Sequence, residues 1–156
     1  MRTKHIIHCI GKLQKTWQKE AIHMFYTRIK PFGEITIIEH SEGNQKSSKP
    51  NINNTKKIEA QKIISSLQKN SFIIALDETG KQLSSIQLAQ TLNENNQNII
   101  EFIIGGSWGL DDSILKQANL ILSLGKITLP HSLARIILLE QIYRSDTINN
   151  NKKYHK

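Results

Sequence analysis

Two short runs almost without a polar break, "FIIAL" (72–76) and the "IIEFII" of "NIIEFIIGG" (99–104), constrain this chain most. A strand with one wet face alternates polar and apolar residues; a run apolar throughout is covered on both faces. Each run is too short for a helix and stops at a turn signal, "DETG" after the first and "GG" after the second. Such strands belong in the middle of a sheet with helices packed on both sides. Between them lies "SSIQLAQTLNE", a serine cap followed by Ile86, Leu88, Ala89 and Leu92 at helical spacing. Strand, helix and strand in that order predict an α/β fold with a mainly parallel sheet.

The rest of the chain repeats the alternation. "KHIIHCIG" (4–11) reads as a first strand, and "QKTWQKEAIHMFYTRIK" as a helix ended by "PFG". "EITIIEH" (34–40) is the second strand. The stretch 41–54 is too poor in apolar residues to build core and reads as a long loop, with a helix from about Thr55 to Lys69 after it. "DDSILKQA" is a short helix with carboxylates in its first turn, "LILSLGK" a last strand, and "ITLPHSLARIILLEQIYR" leads into a long final helix. "SDTINNNKKYHK" then reads as a polar, basic tail. No internal repeat or composition break divides the chain, so residues 1–156 are expected to form one domain.

Composition narrows the partners. Lys and Arg number 21 against 13 Asp and Glu, a net charge of +8 with a pI near 9.6, which favours polyanions. No apolar run approaches the ~20 residues needed to span a bilayer, and "MRTKHIIHCIGK" carries no signal-peptide cleavage pattern, so a cytoplasmic protein is expected. The single cysteine, Cys9, sits in an apolar segment and is expected to be a buried, inert thiol. The six histidines are scattered along the chain, and no metal site is expected from them.

"FIIGGSWGLDD" (102–112) invites a phosphate-binding reading, and its details oppose one. A dinucleotide fingerprint needs G-x-G-x-x-G opening a long helix, usually at the first strand. Here Gly105, Gly106 and Gly109 follow the fourth strand and precede a short helix. A Walker loop ends in Gly-Lys-Ser/Thr, whereas this one ends Gly-Leu-Asp, and Asp111 and Asp112 would repel phosphate. Adjacent glycines at the carboxyl end of a central strand still suit close approach of a ligand. "LDETGK" and "LGKITLPH" follow two other strands, so three loops are expected at one edge of the sheet. They offer backbone polar groups and apolar side chains, which suits a neutral-headed or cationic ligand with an adenine ring better than a triphosphate.

Several segments together resemble the RlmH family of small SPOUT-class RNA methyltransferases. They are "FIIGGSWGL", "LSLGKITLPHSLARIILLEQIYR", the terminal "YHK", the opening "IGKLQKTWQKEAIHMFYTRI" and "ALDETGKQLSSIQLAQTL". The resemblance covers essentially the whole chain in order. It implies a SPOUT-type α/β knot with a C-terminal trefoil, a homodimer, and S-adenosyl-L-methionine bound among the knot loops. The implied cofactor contacts are Leu76, Gly105 and the run Leu124, Gly125, Lys126, Ile127, Thr128 and Leu129. The implied reaction is methylation of N3 of a pseudouridine in the 23S rRNA of assembled ribosomes, with no membrane and no metal involved. A transfer RNA substrate, or a ribosome-associated RNA-binding protein without catalysis, is the alternative.

Methyl transfer asks for alignment of sulfur, methyl and acceptor nitrogen, and for help in removing or neutralising the imide proton. Arg144, Tyr154 and His155 are the catalytic candidates, because the resemblance sets the tail beside the cofactor. His155 is a candidate to accept or relay the proton, Tyr154 to stack on or orient the base, and Arg144 to hold phosphate or developing charge. Arg144 also stands four residues after Glu140, where an ion pair on the helix is the competing role. His131 reads as a helix-start residue with a structural hydrogen bond, and Lys12, Lys15 and Lys19 as a solvated face or as phosphate contacts. Two residues depart from the family's pattern. Trp108 stands where relatives usually carry a different, often polar residue, and Asp146 where they carry an apolar or aromatic one.

Overall fold

The structure is a computed structural model and describes residues 2–43, 48–49 and 51–156. Five strands form one sheet in the order β2-β1-β4-β3-β5, every neighbouring pair parallel. They are β1 (Lys4–Ile10), β2 (Glu34–His40), β3 (Phe72–Gln82), β4 (Ile99–Ile104) and β5 (Leu120–Ser123). The two apolar runs are neighbours in the middle, Phe72 opposite Ile100 through to Leu76 opposite Ile104. Five helices connect and follow them: α1 (Thr16–Ile29), α2 (Ile52–Ile64), α3 (Ser85–Glu94), α4 (Asp112–Gln117) and α5 (His131–Asn149). The fold is the α/β class expected.

Strand alternation sends the side chains to two cores. Ile7, Cys9, Ile74, Ile100, Phe102, Ile104 and Leu122 meet Phe25 and Ile29 of α1, Leu88 and Leu92 of α3, and Leu138, Leu139 and Ile142 of α5. On the other face Ile10, Ala75 and Ile103 meet Ala60 and Ile63 of α2, with Leu110 and Ile114 at α4. Helices α1, α3 and α5 therefore form one layer, with α5 packed against both neighbours, and α2 and α4 form the other.

The α3 cap is the one expected: Ser84 accepts from the Gln87 amide at 3.1 Å while Gln87 accepts from the Ser84 amide at 2.8 Å. Four boundaries differ from expectation. α2 begins at Ile52, its first turn held by Asn51 accepting from the Asn54 amide at 3.0 Å, and it ends at Ile64 rather than near Lys69, with Ser65 as its last cap. Residues 44–47 and 50 of the expected 41–54 loop lie outside the described residues. "DETG" is an excursion within β3: Leu76 and Lys81 both face Leu122, so Asp77–Gly80 leaves the ladder and returns. Finally, α5 runs on through "SDTIN" to Asn149, because Ser145 and Thr147 are buried and Asn149 donates to the Ala89 carbonyl at 2.9 Å. Among the described residues no helix is long and apolar enough to cross a membrane.

Candidate functional site

Register sets the cofactor candidates side by side. Leu76 faces Ile104 on one side and Leu122 on the other. Gly105 therefore begins one residue beyond Leu76's level, and Leu124–Leu129 leaves the sheet on its other flank. All three segments lie at the carboxyl edge.

The glycine loop is a closed turn. The Gly109 amide donates to the Gly106 carbonyl at 3.2 Å, and Gly109 takes φ +79°. A Cβ at Gly105 would lie 2.8 Å from the Gly109 carbonyl carbon, so Gly105 is needed for the loop to fold back on its own strand. That is a different use of the glycine from direct approach of a ligand. Asp111 caps α4, accepting from the Ser113 amide at 3.0 Å and its hydroxyl at 2.6 Å. Those bonds, and Lys56 and Lys57 nearby, hold its carboxyl below the usual range. Ser107, Trp108 and Gly109 are exposed, and Trp108, 47% accessible, is the large apolar side chain among them.

The segment after β5 is open. Ser123 Oγ is bonded to the Gly125 carbonyl at 3.0 Å and the Gly125 amide at 3.2 Å. Gly125 takes φ +132°, and a Cβ there would meet nothing within 4 Å. Ile127 is 76% exposed, and the amides of Lys126, Ile127, Thr128 and Leu129 have no hydrogen-bond partner among the described residues. Free backbone donors beside apolar side chains suit an adenine and a short aliphatic chain.

The three tail candidates come together, around a fourth residue. Glu140 accepts from Arg144 Nε at 3.1 Å and from the Tyr154 hydroxyl at 3.0 Å. The Arg144 guanidinium lies 4.8 Å from the Tyr154 ring centre, and Tyr154 meets Tyr143 edge-on at 4.7 Å. Glu140's hydrogen bond raises the Arg144 pKa, while burial and Glu140 raise that of the Tyr154 phenol, which stays protonated. Arg144 Nη1 lies 3.2 Å from His155 Nδ1. A guanidinium only donates, so Nδ1 accepts and the imidazole proton sits on Nε2. The cluster thus presents donors, with Glu140 saturated behind them. Glu140 was legible in sequence only as Arg144's helical neighbour.

Within one chain the tail cluster and the glycine loop lie at opposite ends of the sheet. Arg135 donates to Glu39 at 2.8 Å and to the Gly11 carbonyl at 3.1 Å, which ties it to the carboxyl ends of β1 and β2. Nine residues further, about 13 Å along a helix, Arg144 is beside Asp146, whose carboxylate is 3.5 Å from His5 at the start of β1. Tyr143 packs on Phe32, which precedes β2.

His131 opens α5 after Pro130 as expected, but its Nδ1 is buried without a partner among the described residues, so the structural hydrogen bond is absent there. Lys12, Lys15 and Lys19 are all exposed at the start of α1. Two of the scattered histidines do meet: His8 and His40 ring nitrogens are 3.1 Å apart, and His8 Nε2 is 2.7 Å from Glu101. Glu101 also accepts from Ser71 at 2.6 Å and the Gln68 amide at 2.8 Å, a buried network beneath α2. Among the described residues no three of His, Cys, Asp or Glu group as metal ligands would.

Comparison with known proteins gives the chain's family and a likeness of fold. A family model described as "Predicted SPOUT methyltransferase" matches residues 3–155. A protein of Carboxydothermus hydrogenoformans named ribosomal RNA large subunit methyltransferase H is 39% identical, the match covering 96% of this chain and 98% of that one. A Lactobacillus acidophilus protein of the same name is 37% identical over the same shares. A solved structure of a probable methylase family protein from Haemophilus influenzae Rd KW20 superposes with a TM-score of 0.56 at 14% identity, over 97% of this chain and 70% of that one, a likeness of fold.

Proposed function

The chain belongs to the SPOUT methyltransferase family, and we propose on that premise that it transfers a methyl group from S-adenosyl-L-methionine to N3 of a pseudouridine in 23S rRNA, acting on ribosomes in the cytoplasm. The observation that carries this reading is the whole-chain match to large-subunit rRNA methyltransferases, with the free amides of 126–129 set beside Leu76 and Gly105. Bound there, the cofactor supplies the electrophilic methyl group. Leu76, Leu124 and Leu129 offer apolar walls, and the backbone from Gly125 to Leu129 offers the polar contacts. The family's trefoil knot belongs to the same reading.

Deprotonated pseudouridine carries its charge on N3 and the flanking carbonyl oxygens. Arg144 and His155 Nε2–H are donors suited to that charge, and stabilising an anion where it forms is a large catalytic term. His155 accepts the proton itself only by giving up its contact with Arg144. Tyr154, its hydroxyl fixed on Glu140, holds Arg144 by its ring face. Since one chain keeps these donors away from its own glycine loop, the active unit in this reading is a homodimer in which each tail serves the partner's loop. Half-buried Leu133, Ile136 and Ile137 on α5 and exposed Met24 on α1 give the two chains an apolar face to share.

Labelled cofactor offered to ribosomes, free subunits and transfer RNA tests the substrate. Label in 23S rRNA alone is expected, and label in transfer RNA alone overturns the reading. Mixing tests the shared site. A chain lacking Tyr154–Lys156 and a chain carrying Gly105→Val are each inactive by expectation. Co-refolded in equal amounts they form half mixed dimers with one intact site each, so about a quarter of full activity returns. No recovery places the whole site within one chain.

A further inference from the structure

Among the described residues six large apolar side chains are notably exposed, and five of them ring the carboxyl edge: Trp17, Ile52, Ile86, Trp108 and Ile127. Trp17, Ile52 and Ile86 stand at the starts of α1, α2 and α3, and Trp108 and Ile127 in the loops after β4 and β5. Only Met24 lies elsewhere. An edge so lined, in a chain of net charge +8, is built to be covered by an anionic partner with flat apolar surfaces.

Trp108 is the best placed of the five. Its turn is pinned by the Gly109–Gly106 hydrogen bond and pressed against Gly105, so the indole is presented on a rigid support. It has no aromatic or hydrogen-bond partner among the described residues. The turn leans toward α2: a Cβ on Gly106 would sit 3.4 Å from Glu59. Three and two residues before Glu59 come Lys56 and Lys57, near enough to act on Asp111. This side of the edge belongs to the α2 and α4 layer, away from the α1 and α5 face that a second copy would use.

We propose that Trp108 is a base-stacking platform for the substrate RNA, taking the flat face of an unpaired nucleobase while Lys56 and Lys57 hold its phosphates. The inference rests on the proposed RNA substrate and adds a residue that orients it. An indole stacks on any base, because every base has a π-face, so Trp108 positions the loop without reading its sequence. The lysines contribute the salt-dependent part of binding. The Asp111 carboxylate is engaged in capping α4 through the Ser113 amide and hydroxyl.

The test compares wild type, Trp108→Ala, Trp108→Tyr and Lys57→Gln on ribosomes lacking the modification. Equilibrium binding and methyl transfer are read separately. Trp108→Ala is expected to weaken ribosome binding, and raise KM, by between about five- and 140-fold, the range that removal of a stacking aromatic produces. Its affinity for S-adenosyl-L-methionine by calorimetry and its dimer mass are expected to stay as in wild type. Trp108→Tyr restores most of the binding, and Lys57→Gln flattens the salt dependence where Trp108→Ala does not. Unchanged ribosome binding in Trp108→Ala overturns the proposal, as does an equal loss of cofactor affinity or a dissociated dimer. A wild type that binds ribosomes without methylating them refutes the proposed reaction, and its binding comparison still decides on Trp108. A wild type that does not bind ribosomes overturns both.

Discussion

The Arg135–Glu39 pair predicts an asymmetry between its two halves. The Arg135 side chain is 2% exposed and that of Glu39 is 35% exposed. Arg135 Nε is buried without a partner among the described residues, so the guanidinium depends on Glu39 at 2.8 Å and the Gly11 carbonyl at 3.1 Å. In Glu39→Gln a cation is left in the core with a neutral neighbour. Breaking a fully buried pair in this way costs about 3–5 kcal/mol. Glu39's partial exposure admits some water, so the expected loss is about 2–3 kcal/mol. In Arg135→Met the buried charge goes, Glu39 turns to solvent, and the lost hydrogen bond to Gly11 sets a cost near ~1 kcal/mol. Urea unfolding at one fixed protein concentration measures both. With a slope of about 2 kcal/mol/M, Glu39→Gln lowers the midpoint by roughly 1–1.5 M and Arg135→Met by about 0.5 M. The double variant should match Arg135→Met, since no buried charge remains to be stranded. An Arg135→Met as costly as Glu39→Gln, or a double variant that sums the two, would refute the reasoning.

Other parts of the molecule answer simpler assays. Gly105→Ala brings a methyl against the Gly109 backbone, so the turn must open; cofactor affinity should drop at least tenfold (about 1.4 kcal/mol), and unaltered affinity would separate the turn from the cofactor. Burial pushes the Cys9 thiol up to about 12, so thiol reagents should label it only in denaturant, and fast labelling of the native protein would contradict its place in β1. Burial, then His8 and Lys62, hold His40 below its ordinary 6.5. The unfolded chain therefore takes up a proton that the folded one resists, and stability should fall as pH drops through about 6.5. Thermal midpoints should decline in that window and His40→Gln should flatten the decline; a wild-type midpoint that rises toward acid would show the sign to be wrong.

What could be read from sequence and what could not follow one physical line. The central strands were legible because β3 and β4 are apolar at almost every position, and the α3 cap because Ser84 and Gln87 satisfy each other locally. The last turns of α5 were hidden because their buried residues are Ser145 and Thr147, whose polarity imitates a tail. Thr147 satisfies its hydroxyl on the Arg144 carbonyl at 2.7 Å, and composition does not show such a local bond. Asp146 has a partner that sequence does not show, since β1 brings His5 within 3.5 Å of its carboxylate. The meeting of Arg144, Tyr154 and His155 was expected from resemblance. Its distance from the glycine loop was not, because that depends on how far α5 runs before the chain turns back.

Helix α5 acts as a ruler across the sheet. Arg135 fastens one end to the carboxyl termini of β1 and β2, and Asp146 brings the other to the start of β1. Because α5 packs between α1 and α3, it cannot slide without breaking both interfaces. Tyr154 is held on Glu140 and Tyr143, which keeps the tail at that end of α5 and away from its own glycine loop. In the dimer proposed above, the donor cluster at one end of α5 meets the partner's cofactor loops, which lie at the other end of its sheet. In that arrangement the α1 and α5 faces are consumed by the pairing. The α2 side of the carboxyl edge, with Trp108 on its rigid turn, stays open to the RNA. On the proposed reading the pairing uses the α1 and α5 layer while the stacking contact to the RNA uses the α2 side, so the two contacts do not compete for one surface.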